Sequence, residues 1–261
     1  MPSPTESKKG SLAIVGLGPG RLEYMTGRAL EVIENAQIII GNDSYLEPIR
    51  PLLEGKRVIR SSMGKEVERA KNALSLAKNH AVAIVSGGDA GVYGMASIVL
   101  EVLEHSGEIL DIEVVPGVTA ANAAASRAGS PLSGDFAVVS LSDLLTPLEV
   151  IEKRLDAIFT TGIPVVLYNP KSRGRPHNFA IAIGHARKHL PAVTPVAIVK
   201  NALRDGEETI ITTLGEIDGV EDSVDMHTTV IIGGIESRIW RMGNDVKGII
   251  TPRGYHRKYV Y

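Results

Sequence analysis

The chain has 261 residues, 44% hydrophobic and 22% charged, with a formal net charge of −2. That length and balance read as a globular protein of one large or two small domains, and the charge implies no general attraction to nucleic acid or to a membrane surface. There is no cysteine, which excludes disulfides, thiolate metal sites and cysteine nucleophiles and fits a cytoplasmic location.

No apolar run reaches the length of a membrane span. Met1 to Lys9 lacks the apolar stretch of a signal peptide and reads as a frayed start. Leu12 to Val15 then reads as a buried strand that breaks into Gly16-Leu17-Gly18-Pro19-Gly20, with a helix expected from about Thr26 to Ala36. Strand, glycine turn and helix open an α/β sheet, whose ligands bind beyond the carboxyl ends of the strands. The glycines allow close approach and positive φ. Pro19 stiffens the turn and removes an N–H, which argues against a phosphate cradle. The spacing Gly-x-Gly-x-Gly also lacks the last glycine of the dinucleotide fingerprint.

Gln37 to Ile40 reads as a second strand, turned by Gly41-Asn42-Asp43-Ser44. Lys65 to Asn79 is an amphipathic helix, with Val67, Ala70, Ala73, Leu74 and Ala77 on one face. Ala81 to Val85 has the continuous apolar pattern of a central parallel strand and runs into Ser86-Gly87-Gly88-Asp89-Ala90-Gly91, after which a helix is expected over Tyr93 to His105. Ile112 to Val115 is a strand ended by Pro116-Gly117, and Val118 to Ala128 an alanine-rich helix with Thr119 at its cap or first turn.

The scheme then repeats. Phe136 to Ser140 is a strand; Thr146 at N-cap with Pro147 at N1 starts a helix running to about Phe159. Val165 to Tyr168, Val196 to Val199, Glu208 to Thr212 and Thr228 to Ile232 read as strands, Asn169 to His177 as a loop and Phe179 to His189 as a helix. Two tandem α/β domains follow, 11–118 and 119–246, with a joint near Gly117 and a basic, tyrosine-bearing tail over 247–261 expected to lie on a neighbouring surface.

If the strands are parallel, the corners Gly16–Gly20, Ser86–Gly91, Pro116–Ala120, Asn169 onward and Lys200-Asn201 line one edge. Asp89 could accept from a hydroxyl or balance a cation; a helix-capping aspartate is the structural alternative. Lys171, Arg173 and Arg175 crowd one loop at that edge and point to a polyanionic substrate, since the guanidinium fork pairs with carboxylates. His185 and His189 have the i, i+4 spacing of metal ligands, but no third ligand is evident and a solvent-facing helix is expected, so no metal is assigned. His80 reads as structural.

Taken together, these segments resemble the tetrapyrrole methylase family. The family's opening glycine motif is Gly16 to Gly20 here, its Gly-Gly-Asp is Gly87 to Asp89 and its Pro-Gly-Val-Thr-Ala is Pro116 to Ala120. The resemblance covers roughly residues 11 to 255. Met63 to Arg69, Ser140 to Pro147, Leu167 to Arg173 and Thr251 to Tyr255 are most similar to members that methylate carbon 17 of a precorrin-3B or cobalt-factor III type macrocycle and contract its ring, in cobalamin biosynthesis.

The resemblance implies two α/β domains with a ligand cleft between them, S-adenosylmethionine as cofactor and a homodimer. It places the cofactor at Gly18, Pro19, Gly87, Gly88, Asp89, Val92, Thr119 and Ala120, with Asn169, Asn201, Ala202 and Thr228 as further contacts. Lys171, Arg173 and Arg175 would meet the carboxylates of the macrocycle, cobalt-bound or metal-free. Methyl transfer from an already electrophilic donor asks for position and a dry site rather than a nucleophile, and no triad stands out in the chain. Ring contraction needs acid/base help, for which Ser142, Asp143 and His177 are the guesses. The alternatives are a sister methylase acting at another ring carbon, a non-catalytic tetrapyrrole carrier, and an NAD-dependent oxidoreductase using Asp43 as its ribose acid.

Overall fold

The computed structural model describes residues 10–260, so the expected frayed start at Met1 to Lys9 lies outside the described residues. The chain divides into two compact units, one ending at Ala120 and the other beginning at Ala121.

In the first unit, β1 (Ser11–Gly16), β2 (Ile38–Asn42), β3 (Arg57–Ser61), β4 (Ala81–Ser86) and β5 (Asp111–Val115) form one sheet in the order β3-β2-β4-β1-β5. Every neighbouring pair is parallel, so all five carboxyl ends share an edge. Successive strand residues point to opposite faces, and both faces are covered. Val15, Ile39, Val85 and Val115 pack against Ala29 and Ile33 of α1 (Gly27–Asn35) and Leu46 of α2 (Asp43–Leu46). Ile14, Ile38, Ile40 and Ile84 pack against Ala70, Ala73 and Leu74 of α3 (Glu66–Ala77) and Val99 of α4 (Ala96–Ser106). Burial on both sides is why the inner strands β1, β2 and β4 read as apolar runs, while the edge strands β3 and β5 carry charges.

Three local expectations are corrected here. Gly41 and Asn42 complete β2 instead of turning, and the Asn42 side chain accepts from the Ser44 N–H at 2.8 Å to open α2. The helix expected from Tyr93 begins at Ala96, because Tyr93 is left-handed (φ 53°) and the chain at Gly94 folds back on residues 89 and 90, where a Cβ would lie 2.6 Å from the Asp89 carbonyl oxygen. The helix expected from Val118 is α5 (Ala120–Arg127), and its Ala121 N–H donates to the Tyr168 hydroxyl at 2.6 Å.

The second unit opens with a two-residue strand, β6 (Gly129–Ser130). Its main sheet contains β7 (Ala137–Ser140), β8 (Val165–Tyr168), β9 (Pro195–Lys200), β10 (Glu208–Thr213) and β11 (Thr228–Ile232), ordered β10-β9-β11-β8-β7. This sheet is mixed, not parallel throughout. β7 and β8 are parallel, whereas β11 is antiparallel to both β8 and β9, and β10 is antiparallel to β9. A short connection such as 201–207 cannot make a parallel crossover and returns as a hairpin. One face of the sheet packs Val139, Leu167, Ile198 and Ile232 against Leu155 and Phe159 of α6 (Leu148–Thr160) and Phe179 and Ile183 of α7 (Asn178–His189).

The N-cap of α6 is Pro147, not Thr146; it makes no side-chain cap, and its carbonyl accepts from Val150 N–H at 3.0 Å. The stretch expected as a tail from 247 instead enters a strand. β12 (Arg238–Met242) and β13 (Asp245–Ile250) form a hairpin, and β13 pairs in parallel with β6. No helix among the described residues is long and apolar enough to cross a membrane.

Candidate functional site

In the first unit the glycine corners are built backbone against backbone. Gly18 N–H donates to the Gly88 carbonyl at 2.9 Å and Gly88 N–H donates back to the Gly18 carbonyl at 2.8 Å, while Leu17 N–H donates to Ser86 O at 2.9 Å. Both glycines are left-handed, with φ 74° and 67°, which an L side chain resists. Gly117 closes the corner from the third loop: a Cβ there would lie 2.3 Å from the Gly88 carbonyl oxygen and 2.7 Å from the Gly16 carbonyl carbon. The Gly18 and Gly88 amides are thus spent on each other, and these residues shape the turn rather than donate from it.

Asp89 locks the same corner. Its Oδ1 accepts from Gly91 N–H at 2.8 Å and its Oδ2 from Gly117 N–H at 2.9 Å, which ties the loop after β4 to the loop after β5. It does not cap a helix, because α4 starts seven residues later at Ala96. Thr26 adds a further tie: its Oγ1 accepts from Ala29 N–H to cap α1 and donates to the Pro116 carbonyl at 3.3 Å. Tyr45 packs its ring where a Gly87 Cβ would sit. Val92 and Tyr93 stand exposed beyond the corner, and Thr119 and Ala120 are half-buried beside it, near the space a Gly88 side chain would fill.

In the second unit, β7, β8 and β9 run in one direction and β11 in the other. Ser140, Asn169 and Asn201 therefore share one sheet edge with Thr228, which is paired with Lys200. Gly233 and Gly234 fall at the opposite edge. Asn169 and Asn201 follow β8 and β9 directly, and both are left-handed, with φ 52° and 48°. Asparagine tolerates that conformation better than most residues. Asn169 donates to Ser140 Oγ at 2.9 Å and Asn201 to the Gly206 carbonyl at 3.3 Å. Ala202 follows, half-buried.

The Thr228 hydroxyl is committed to a turn with Asp225, accepting from Asp225 N–H and donating to its carboxylate, both at 3.1 Å. Burial alone would push the Asp225 carboxyl up. The Lys200 ammonium 2.7 Å away and the N–H of His227 override it and hold the group below the ordinary aspartate value. The same hydrogen bond raises Lys200.

The basic loop turns tightly between Ser172 and Arg175, which exchange backbone hydrogen bonds. Lys171 is paired with Glu221 at 3.1 Å. Arg175 is largely covered, with its Nε 3.8 Å from Asp143 Oδ1 and its Nη2 3.6 Å from Met226 Sδ. Arg173 is exposed and makes no ion pair among the described residues. Of the acid/base guesses, Asp143 lies beside Arg175, Ser142 donates its N–H to Ser140 Oγ at 3.3 Å, and His177 is exposed at the N-terminus of α7.

His185 and His189 do not face solvent as expected. They lie against α6, with His185 Nε2 3.2 Å from Glu152 Oε2 and His189 Nε2 2.8 Å from Asp156 Oδ1. Hydrogen bonds from His189 and then His185 hold the Asp156 carboxyl below its ordinary value. No group of three such side chains among the described residues is arranged to hold a metal ion. Asp43, the acid an NAD site would use, pairs with Arg60 at 2.6 Å. Sequence reasoning missed the roles of Tyr45 and Tyr168 and the Thr26–Pro116 bond, which join residues far apart in the chain and leave no local pattern; the Thr26 cap on Ala29 N–H, three residues on, is a local signal that could have been read.

A parallel sheet with glycine corners at its carboxyl edge, followed by a mixed α/β unit, is an architecture of the α/β class, whose ligands bind beyond the carboxyl ends of the strands. Residues 11–218 match the Tetrapyrrole (Corrin/Porphyrin) Methylases, and the chain belongs to that family. It is 44% identical over 252 residues to the cobalamin biosynthesis protein CbiHC of Archaeoglobus fulgidus, covering 96% of this chain and 54% of that one. It therefore spans about half the length of that relative. It is 42% identical to a Salmonella typhimurium chain named a probable cobalt-factor III C(17)-methyltransferase, covering 94% of this chain and 99% of that one. Among solved structures, the methyltransferase CobJ superposes with a TM-score of 0.84 at 33% identity, covering 93% and 100% of the two chains. The uroporphyrin-III C-methyl transferase of Thermus thermophilus, in complex with S-adenosylhomocysteine, superposes at 0.66 with 25% identity, covering 86% and 92%.

Proposed function

We propose that this chain transfers a methyl group from S-adenosylmethionine to carbon 17 of a precorrin-3B or cobalt-factor III type macrocycle, with contraction of the ring, in cobalamin biosynthesis. The observation that carries the reading is the Gly18–Gly88 bridge latched by Asp89, which gathers the family's three motifs into one corner. Family membership and the name of the Salmonella relative, which is covered over 99% of its length, support the reaction and the substrate class. A cytoplasmic location and a homodimeric assembly belong to the same reading.

The corner suits the donor. Its floor is backbone drawn so close that side chains are excluded at Gly16 and Gly117, and Val92 and Tyr93 offer apolar surface beside it. When bound, S-adenosylmethionine supplies a methyl group already activated on a sulfonium. The protein's task is then orientation, which can contribute roughly 7–11 kcal/mol in favourable cases. Gly87, Val92, Thr119 and Ala120 hold the donor, and Gly18, Pro19, Gly88 and Asp89 fix the loops that carry them. In the second unit Arg173 and Arg175 take carboxylates of the macrocycle. Asp143, 3.8 Å from Arg175, is the group we assign to proton transfer on the macrocycle.

The test is mass spectrometry after incubation with precorrin-3B or cobalt-factor III and donor labelled in its methyl group. Gain of one labelled methyl group is the expected result. Absence of label, or binding of NADH without binding of S-adenosylhomocysteine, overturns the proposal.

A further inference from the structure

The stretch Met63 to Arg69 carries part of the family resemblance but none of the roles assigned above, and it contains a buried permanent charge. Arg69, on α3, is 3% exposed. Its Nη1 donates to Ser61 Oγ at 2.5 Å and to the Ser62 carbonyl at 3.2 Å. Its Nη2 reaches Met95 Sδ at 3.4 Å and the half-exposed Glu66 carboxylate at 3.4 Å. Its Nε is buried without a hydrogen-bond partner. A buried ion so loosely paired is weak support for stability. What the guanidinium does do is join two segments. Ser61 ends β3, Ser62 follows it ahead of left-handed Gly64, and Met95 closes the loop that begins at Gly87 and contains left-handed Tyr93. Both segments leave carboxyl ends of the parallel sheet, at the edge that holds the Gly18–Gly88 bridge.

We propose that Arg69 is a positioning residue, pinning the Ser61–Lys65 loop to the end of the Gly87–Met95 loop and so keeping the latter in its donor-binding shape. This rests on the function proposed above. Met95 is the N-cap of α4 and makes no side-chain cap there; its side chain is buried in the core beside Val99, and its sulfur is the point at which Arg69 meets the loop's end. Losing the pin lets the loop sample other shapes, and affinity falls in proportion to the fraction that remains competent.

The test uses the full chain with Arg69→Met. The variant is expected to fold, with a modestly lower unfolding midpoint because Ser61 Oγ and the Ser62 carbonyl lose their donor. Its Kd for S-adenosylhomocysteine should rise roughly tenfold, as if about a tenth of the molecules kept the competent loop. The KM for the donor should rise with kcat retained at saturation, and amide exchange at 61–65 and 91–95 should quicken. Arg69→Lys, a point charge without the fork, should recover part of the affinity. Unchanged affinity and exchange in Arg69→Met overturn the proposal. If Arg69→Met does not fold, Ser61→Ala and Met95→Leu each remove one contact, and parental affinity and exchange in both overturn it. If the parent chain binds no S-adenosylhomocysteine, the proposed function fails, and the exchange measurement alone decides the pin.

Discussion

At the scale of single residues, the corner in the first unit is governed by space and by one carboxylate. Gly117→Ala would set a methyl group 2.3 Å from the Gly88 carbonyl oxygen. Backbone cannot yield there, so the substitution should cost more than about 3 kcal/mol, at or beyond the usual range for overpacking. Gly184 in α7 has open space around its Cα. Gly184→Ala should therefore stabilise the protein by about 0.5–1 kcal/mol through helix propensity. Urea unfolding of the two variants beside the parent checks both signs. Asp89→Ala leaves the Gly91 and Gly117 amides without their acceptor. It should lower stability by roughly 2–3 kcal/mol, the range for bonds to a charged group, and weaken S-adenosylhomocysteine binding. Asp89→Asn, which keeps one acceptor oxygen, should lose less of both.

At the scale of elements, the second sheet's edge is held by the pairing of β9 with the turn before β11. Asp225, held below the ordinary aspartate value of 3.8, contributes stability that is present above that value and lost as pH falls through its lower folded value. Lys200, raised above 10.5, contributes below that value and ceases to do so as pH rises through its higher folded value. Lys200→Met should thus be less stable than the parent across the neutral range, with the gap closing in acid and again in strong alkali. Unfolding midpoints measured from pH 2 to 11 in a common denaturant check this; a gap that widens in acid would falsify the assignment. The β9–β11 pairing also shows where sequence stops being informative. Thr228 to Ile232 is legible as a strand from its apolar run, but its direction is not. Period 2 is the same read from either end, and only the partners in space set the sense of pairing.

At the scale of the whole molecule, ligand linkage is the direct check. A ligand that binds the folded chain alone stabilises it by about 2.7 kcal/mol at a hundredfold excess over Kd. S-adenosylhomocysteine should produce that shift in chemical unfolding and NADH should not. The absence of a shift with S-adenosylhomocysteine would remove the cofactor from the proposed function.

Much of this molecule was settled by local chemistry in the chain. Central strands buried on both faces must be continuous apolar runs, so β1, β4, β8 and β11 are readable, and the glycines after β1 and β4 mark corners because a side chain there would meet strained angles or backbone. The exposed strands β3, β12 and β13 were not readable: Arg57, Arg60, Arg238, Arg241 and Lys247 break the apolar pattern, and such strands exist only because a neighbour supplies the hydrogen bonds. The site divides the same way. Gly18, Gly88 and Asp89 were visible as motifs, but only the fold decided that the two glycine amides pair with each other, that Asp89 clamps Gly117 and that Arg69 bridges two loops. It also turned His185 and His189 onto carboxylates of α6 instead of to solvent. Contacts between residues distant in sequence carry no period and no spacing, so packing alone could fix them.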